Sequence, residues 1–206
     1  MSTPSNVTFY FDPACPWTWM TSRWLVDAAG QAGTFIEWRS LSLGVLNAGK
    51  DIPEAYRGPM DAARDVHRVM AALKAAGRND LIGALYTEYG ARTFHDGLAG
   101  STDVVRTAVE AAGAGEWAWA IGDEDFDDEV AASTAEALAL AGPDVGSPVL
   151  AWGEPRIGVF GPIVSPPPTG ADAVALLEHV VAVREIPGVF EIKRGRSEGP
   201  AFGPRP

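Results

Sequence analysis

The chain has one cysteine and three histidines among 206 residues, so its nucleophile chemistry concentrates on Cys15, in Cys15-Pro16-Trp17-Thr18. A β-branched and aromatic run, Val7 to Phe11, stops at the turn pair Asp12-Pro13. Pro16 then suits the first position of a helix. A thiol at such a helix start meets unpaired backbone N–H groups and the positive end of the helix dipole, so a pKa below the ordinary value of about 8.5 is expected. Thr18, one turn on, can donate its hydroxyl to the thiolate, and Trp17 can shield the sulfur while leaving one side open. The blander alternative is a small buried hydrophobe, the common fate of free cysteines. A single cysteine excludes an intramolecular disulfide and argues against a cysteine-rich metal site, so any redox cycle must borrow a second thiol.

Other candidates are weaker. Ser147-Pro148 places a proline at the first residue of an apparent strand, which a cis bond would explain and an ordinary trans bond also allows. His67 falls on an apolar helical stripe with Met60 and Met70 and reads as a core histidine, and His179 reads as a surface residue of the last helix. His95, in Thr93-Phe94-His95-Asp96-Gly97, is expected in a loop, which makes it the one histidine with a functional claim. The acidic run Asp123 to Glu129 lacks the glycine and spacing of a calcium loop and reads as a solvated helix start. Trp117 and Trp119 read as packing residues, one of them a candidate for lining a cleft. Gly158 and Gly161 do not make a phosphate loop.

The elements that must position these residues follow from periodicity. A strand at Val7–Phe11 leads to a helix from Trp17 to Ala29, stopping before Gly30, and a second strand covers Thr34 to Leu41, a unit of the size of a parallel crossover. From Pro53 to about Ala141 the pattern is wholly helical. One helix has a stripe of Tyr56, Met60, Ala63, His67 and Met70, a second has Leu81, Leu85 and Tyr89, and Ser101 and Asp123 are N-caps, with Gly113 and Gly142 as stops. Ser147 to Trp152 and Arg156 to Phe160 form a hairpin about Gly153-Glu154-Pro155. A last helix spans Ala171 to Arg184, preceded by the stiff connector Pro166-Pro167-Pro168 and followed by a Gly/Pro/Arg-rich tail expected to be extended or mobile.

Composition narrows the partners. A net charge of −11 with 47% hydrophobic residues describes a chain with ample core material that repels phosphate backbones and anionic lipid, so nucleic acid and membrane surfaces are not expected partners. The polar start, Met1 to Asn6, has no signal-like apolar stretch, and the chain is expected in the cytoplasm.

Taken together, the residues resemble the DsbA-like branch of the thioredoxin superfamily, nearly end to end. More narrowly, Phe11-Asp12-Pro13-Ala14-Cys15-Pro16-Trp17, Trp19, Thr21-Ser22-Arg23-Trp24, Leu46-Asn47, Pro53-Glu54-Ala55-Tyr56-Arg57, Val145-Gly146-Ser147-Pro148 and Phe160-Gly161-Pro162 are similar to the mycothiol-dependent nitroreductase group. The resemblance implies an α/β thioredoxin-like fold with an all-helical insertion between the second and third strands. In that scheme 1–50 and 143–190 form the two parts of the thioredoxin-like domain, 51–142 the insertion and 191–206 the tail. It also implies a cis Pro148 against Cys15, with Ser147 pairing to a bound thiol, and brings Pro16, Trp17, Asn47, Tyr56 and His95 toward the cofactor cleft.

Redox-active relatives carry a second cysteine where this chain has Thr18. The resemblance therefore implies a monothiol enzyme in which Cys15 and Thr18 act, with mycothiol or another low-molecular-weight thiol resolving the cycle, no metal, and small electrophiles, nitro compounds or mixed disulfides as substrates. Two alternatives stay open. A kappa-class-transferase-like or 2-hydroxychromene-2-carboxylate-isomerase-like enzyme would retain the thiol without net electron transfer, and a binding module would ignore a Cys15→Ser change. A homodimer is left open.

Overall fold

The computed structural model describes residues 3–206. Its centre is a four-stranded sheet in the order β2-β1-β3-β4, made of β1 (Asn6–Phe11), β2 (Phe35–Ser40), β3 (Val149–Trp152) and β4 (Ile157–Phe160). β1 pairs parallel with β2, Val7 opposite Ile36 and Phe11 opposite Ser40. It pairs antiparallel with β3, which in turn pairs antiparallel with β4. The alternation of side chains along a strand sorts β1 and β3 between two faces. Val7, Phe9, Phe11, Leu150 and Trp152 join the main core on one side, and Tyr10, Val149 and Ala151 join a smaller cluster with Ala137 on the other.

The parallel β1–β2 step needs a crossover, and α1 (Pro16–Ala32) supplies it. Pro16 stands at its first position, where the missing N–H costs nothing. Met20, Trp24, Leu25 and Ala28 face inward, fully buried, and burial of Met20 and Leu25 alone is worth about 1.5–3 kcal/mol each. The helix runs past Gly30, the expected stop, and ends where Gly33 takes a left-handed φ of 69°. Gly30 is exposed with open space around its Cα, so nothing there interrupts a helix held by packing on its other face. α7 (Gly170–Arg184) lies beside α1 on the same side of the sheet, and Trp24 Nε1 donates to Ala173 O at 2.9 Å.

Between β2 and β3 the chain is helical: α2 (Leu43–Leu46), α3 (Arg57–Ala75), α4 (Asn79–Gly90), α5 (Thr102–Ala111) and α6 (Asp127–Ala141), with 3₁₀ turns at Glu54–Tyr56, Gly115–Ala120 and Glu124–Phe126. α3, α4 and α5 extend the main core through Val66, Met70, Leu85, Tyr86 and Val105. α6 covers the second face, and its Glu136 pairs with Arg39 of β2 at 2.7 Å and with Arg156 of the hairpin turn. Part of the acidic run is taken up by pairing and capping: Asp123 caps the 3₁₀ turn, Asp127 pairs with Arg68 and Glu129 with Lys74.

Two expectations change. Tyr56, assigned to an inward stripe, is 60% exposed, because the first turn is 3₁₀ and the regular helix starts one residue later. His95 is not in a loop but ends a π-helical segment, Ala91–His95, that continues α4. Ser147–Pro148 is cis, as are Glu154–Pro155, Gly161–Pro162 and Ser165–Pro166. No helix among the described residues is long and apolar enough to cross a membrane.

Candidate active site

The thiol sits where four segments converge, and Asp12 gathers them. β1 delivers Asp12 into the interior, 1% exposed. Its Oδ1 accepts from the Ala14 amide at 2.7 Å, the local turn that Asp makes with the residue two ahead. Oδ2 accepts from the Leu43 amide at 2.6 Å, fixing the start of α2. The Asp12 amide donates to Ser147 Oγ at 2.9 Å, and Ser147 Oγ lies 2.8 Å from Thr18 Oγ1. The end of β1, the first turn of α1, the start of α2 and the Ser147–Pro148 loop are thereby held as one buried polar unit beneath Cys15.

Cys15 caps α1 from an extended conformation, its amide donating to Asp12 O at 3.2 Å. As a residue it is half-buried, but the environment of its sulfur overturns the expected low pKa. Burial pushes the Cys15 thiol above its ordinary value, the Thr18 hydroxyl and the Thr18 and Trp17 amides pull the other way, and the Asp12 carboxylate pushes it up again. The helix-start amides favour the thiolate, but burial outweighs them.

His67, read as a core histidine, is fully buried and lies next to this unit. Its Nδ1 is 3.0 Å from Ser40 Oγ, while Nε2 has no hydrogen-bond partner and faces Asp12 Oδ2 at 3.5 Å. Neither Asp12 nor His67 was among the expected site residues. For Asp12 a signal existed, since an Asp in a turn just before a cysteine is poised to bind nearby amides; for His67, in the middle of α3 and far from Cys15 along the chain, none did.

The other expected residues are placed less tightly. Trp19 Nε1 donates to His95 Nε2 at 3.2 Å, which requires the proton of neutral His95 on Nδ1. Burial, then the cation of Arg205, lowers the His95 pKa, opposed by Asp96. Arg23 stacks 4.3 Å from the Trp19 ring and donates to Thr87 at 2.9 Å, its pKa lowered by burial to about 10. Asn47 is the C-cap of α2, its Oδ1 accepting from Lys50, and exposed Tyr56 makes no hydrogen bond to the Asp12–Thr18–Ser147 unit among the described residues. A groove of about 370 Å³ lined by Val26, Trp38, Gly83 and Thr87 contains none of the expected site residues. Among the described residues no group of three or more His, Cys, Asp and Glu side chains is placed to hold a metal.

The family described as mycothiol-dependent nitroreductase Rv2466c, Rv2466c-like, is matched over residues 14–194. The chain belongs to this family. Its members are by that description thiol-dependent oxidoreductases, and the match takes in Cys15, Thr18, His67 and Ser147. The chain is 29% identical over 201 residues to the uncharacterized protein Rv2286c of Mycobacterium tuberculosis, covering 94% of this chain and 83% of that one. Among solved structures, the cytosolic disulfide reductase DsbM from Pseudomonas aeruginosa with GSH superposes with a TM-score of 0.56 at 16% identity, over 86% of this chain and 99% of its own. A probable DsbA oxidoreductase from Streptomyces coelicolor gives 0.56 at 20%, over 96% and 98%. A 2-hydroxychromene-2-carboxylate isomerase gives 0.53 at 14%, over 86% and 94%. These similarities establish a DsbA-like thioredoxin fold with helices inserted between β2 and β3.

Proposed function

We propose that this protein is a monothiol oxidoreductase that uses Cys15 together with an external low-molecular-weight thiol, mycothiol or one like it, to reduce small electrophiles, nitro compounds or mixed disulfides. The observation that carries the reading is Cys15 as the sole cysteine, at the start of α1, with Thr18 and Ser147 hydrogen-bonded beneath it. In disulfide reduction the Cys15 sulfur attacks one sulfur of R–S–S–R′, forming Cys15–S–S–R and releasing R′S⁻, which takes up the proton that left Cys15. An external thiol then attacks the R sulfur, giving its own mixed disulfide with R and returning Cys15, and a second external thiol releases RSH and forms the external disulfide, so two external thiols supply the two electrons. For a nitro group, two external thiols supply two electrons and two protons, yielding a nitroso product, water and one disulfide.

The raised Cys15 pKa shapes this cycle. Attack is slow near neutrality because little thiolate is present. Once formed, Cys15–S–S–R persists, because a high-pKa thiol leaves poorly. Thr18 and the Thr18 and Trp17 amides stabilise the thiolate during exchange, the role that supports placing Thr18 with Cys15 in the chemistry. Ser147, through Asp12 and Thr18, positions the loop that faces an incoming thiol; Pro16, Trp17, Asn47, Tyr56, His95 and Pro148 complete the proposed cofactor cleft.

The same raised pKa favours one second reading, in which the site holds a thiol cosubstrate for a transferase-like or isomerase-like reaction without electron transfer. Turnover with supplied mycothiol separates the two. The redox reading expects one equivalent of mycothiol disulfide per two electrons accepted, and a loss of at least 100-fold in turnover for Cys15→Ser. Product formed with all thiol recovered reduced, and Cys15→Ser within threefold of the parent, would replace it with the second reading.

A further inference from the structure

The family match ends at residue 194, and the chain beyond it returns to the thiol site. Arg196 lies over the ring of Trp17, 4.5 Å from its centroid, and Trp17 is two residues from Cys15. Ser165 in the connector ahead of α7 holds the next stretch, accepting from the Ala201 amide at 3.0 Å and donating to Gly199 O at 3.3 Å. Phe202 then packs on Phe94 at 5.4 Å and on His95 at 5.7 Å between ring centroids. Arg205 makes a two-pronged pair with Asp96, Nε to Oδ1 at 3.0 Å and Nη2 to Oδ2 at 2.9 Å. An irregular segment without a core of its own is thus fastened at three separate points, to the first turn of α1, to the connector and to the π-helical end of α4.

We propose that residues 195–206 are a specificity strap, closing the Trp17–His95 side of the Cys15 site and restricting it to small substrates and small thiols. Arg196 covers a face of the Trp17 ring, two residues from the thiol, on which a large planar or peptide group would rest, and Phe202 fills the space beside His95. The fastenings are a cation–π contact, two exposed hydrogen bonds to Ser165, an exposed ion pair and one partly buried ring, each individually weak, so the strap holds against large partners while remaining able to shift for a small one. Folded proteins with exposed disulfides are thereby excluded.

This inference rests on Cys15 being the reacting thiol, but not on its electron acceptor. The test compares Cys15 alkylation in the full chain and in an R196A/F202A/R205A variant, using iodoacetamide as the small probe and a maleimide carrying a polyethylene glycol chain as the large one. A rise of tenfold or more for the large reagent, with less than threefold change for iodoacetamide, is expected. Equal changes for both reagents, or no change, would overturn the strap. Arg196→Ala alone, at an exposed position outside the core, gives an arm in which folding is not at issue; a threefold or greater rise for the large reagent is expected there, and none would overturn the proposal. Size selectivity lost in the variants while the parent shows no thiol-dependent turnover would remove the redox reading and leave the strap standing. Unchanged selectivity with full turnover would remove the strap alone.

Discussion

At the residue scale, the chemistry of Cys15 is a contest between the helix start that favours its thiolate and the burial that opposes it. Burial wins. Alkylation of Cys15 followed against pH is therefore expected to give an apparent pKa above the free-thiol value of about 8.5, with reactivity still climbing where an exposed thiol has levelled off. Thr18→Val removes the hydroxyl that favours the thiolate while keeping side-chain volume. It should raise that apparent pKa further and slow alkylation at pH 7 by roughly 3–10-fold, the equivalent of about 0.7–1.4 kcal/mol for one hydrogen bond. A profile at or below the ordinary thiol value would contradict the geometry. The position of Cys15 and its Thr18 neighbour could be read from sequence because both lie within one helical turn. The direction of the pKa could not, since desolvation comes from elements scattered along the chain, as do Ser40, Leu43, His67 and Ser147 around Asp12.

At the scale of elements, α1 and α4 meet so closely that one glycine decides the contact. A Cβ on Gly90 would stand 2.2 Å from Trp19 Cζ3 and 2.3 Å from Cε3, and the Trp19 ring is fully buried between Tyr86 and His95. Gly90→Ala is expected to cost about 1–3 kcal/mol, a fall in Tm of roughly 2–12 °C for a chain of this size, and to disturb the Trp19–His95 hydrogen bond. Thermal melting with near-UV circular dichroism checks both, and an unchanged Tm would show that the helices have room to part. Periodicity made α1, α3, α4 and the β3–β4 hairpin legible. It misjudged the end of α1, because Gly30 is tolerated on a solvent face whereas Gly33 has the left-handed φ that ends the helix. It also missed the π-helical turn, since the pattern of Thr93-Phe94-His95-Asp96-Gly97 carries no sign of an extra backbone residue per turn.

At the scale of the whole molecule, the sequence of elements along the chain, the parallel crossover and the inserted helices were legible because each follows from local pattern and connection rules; the place of β3 beside β1 in the sheet was not legible. The return of the C-terminal segment over Trp17 and His95 was not, since a stretch rich in Gly, Pro and Arg encodes no periodic face and its contacts are made entirely with distant residues. The same scale sets the redox logic. A chain with one thiol cannot close an internal disulfide, so the proposed reduction draws both electrons from outside and passes through a bond between Cys15 and another molecule. The most direct measurement is intact-mass analysis of the protein quenched with acid during turnover on an excess of a small mixed disulfide with limiting mycothiol. A single adduct with the mass of one thiol moiety on Cys15 is expected, accumulating to a substantial fraction because the high-pKa sulfur leaves slowly, and discharged when more mycothiol is added. Steady turnover with no adduct on Cys15 at any time, or with the adduct formed but never discharged by thiol, would contradict the assignment.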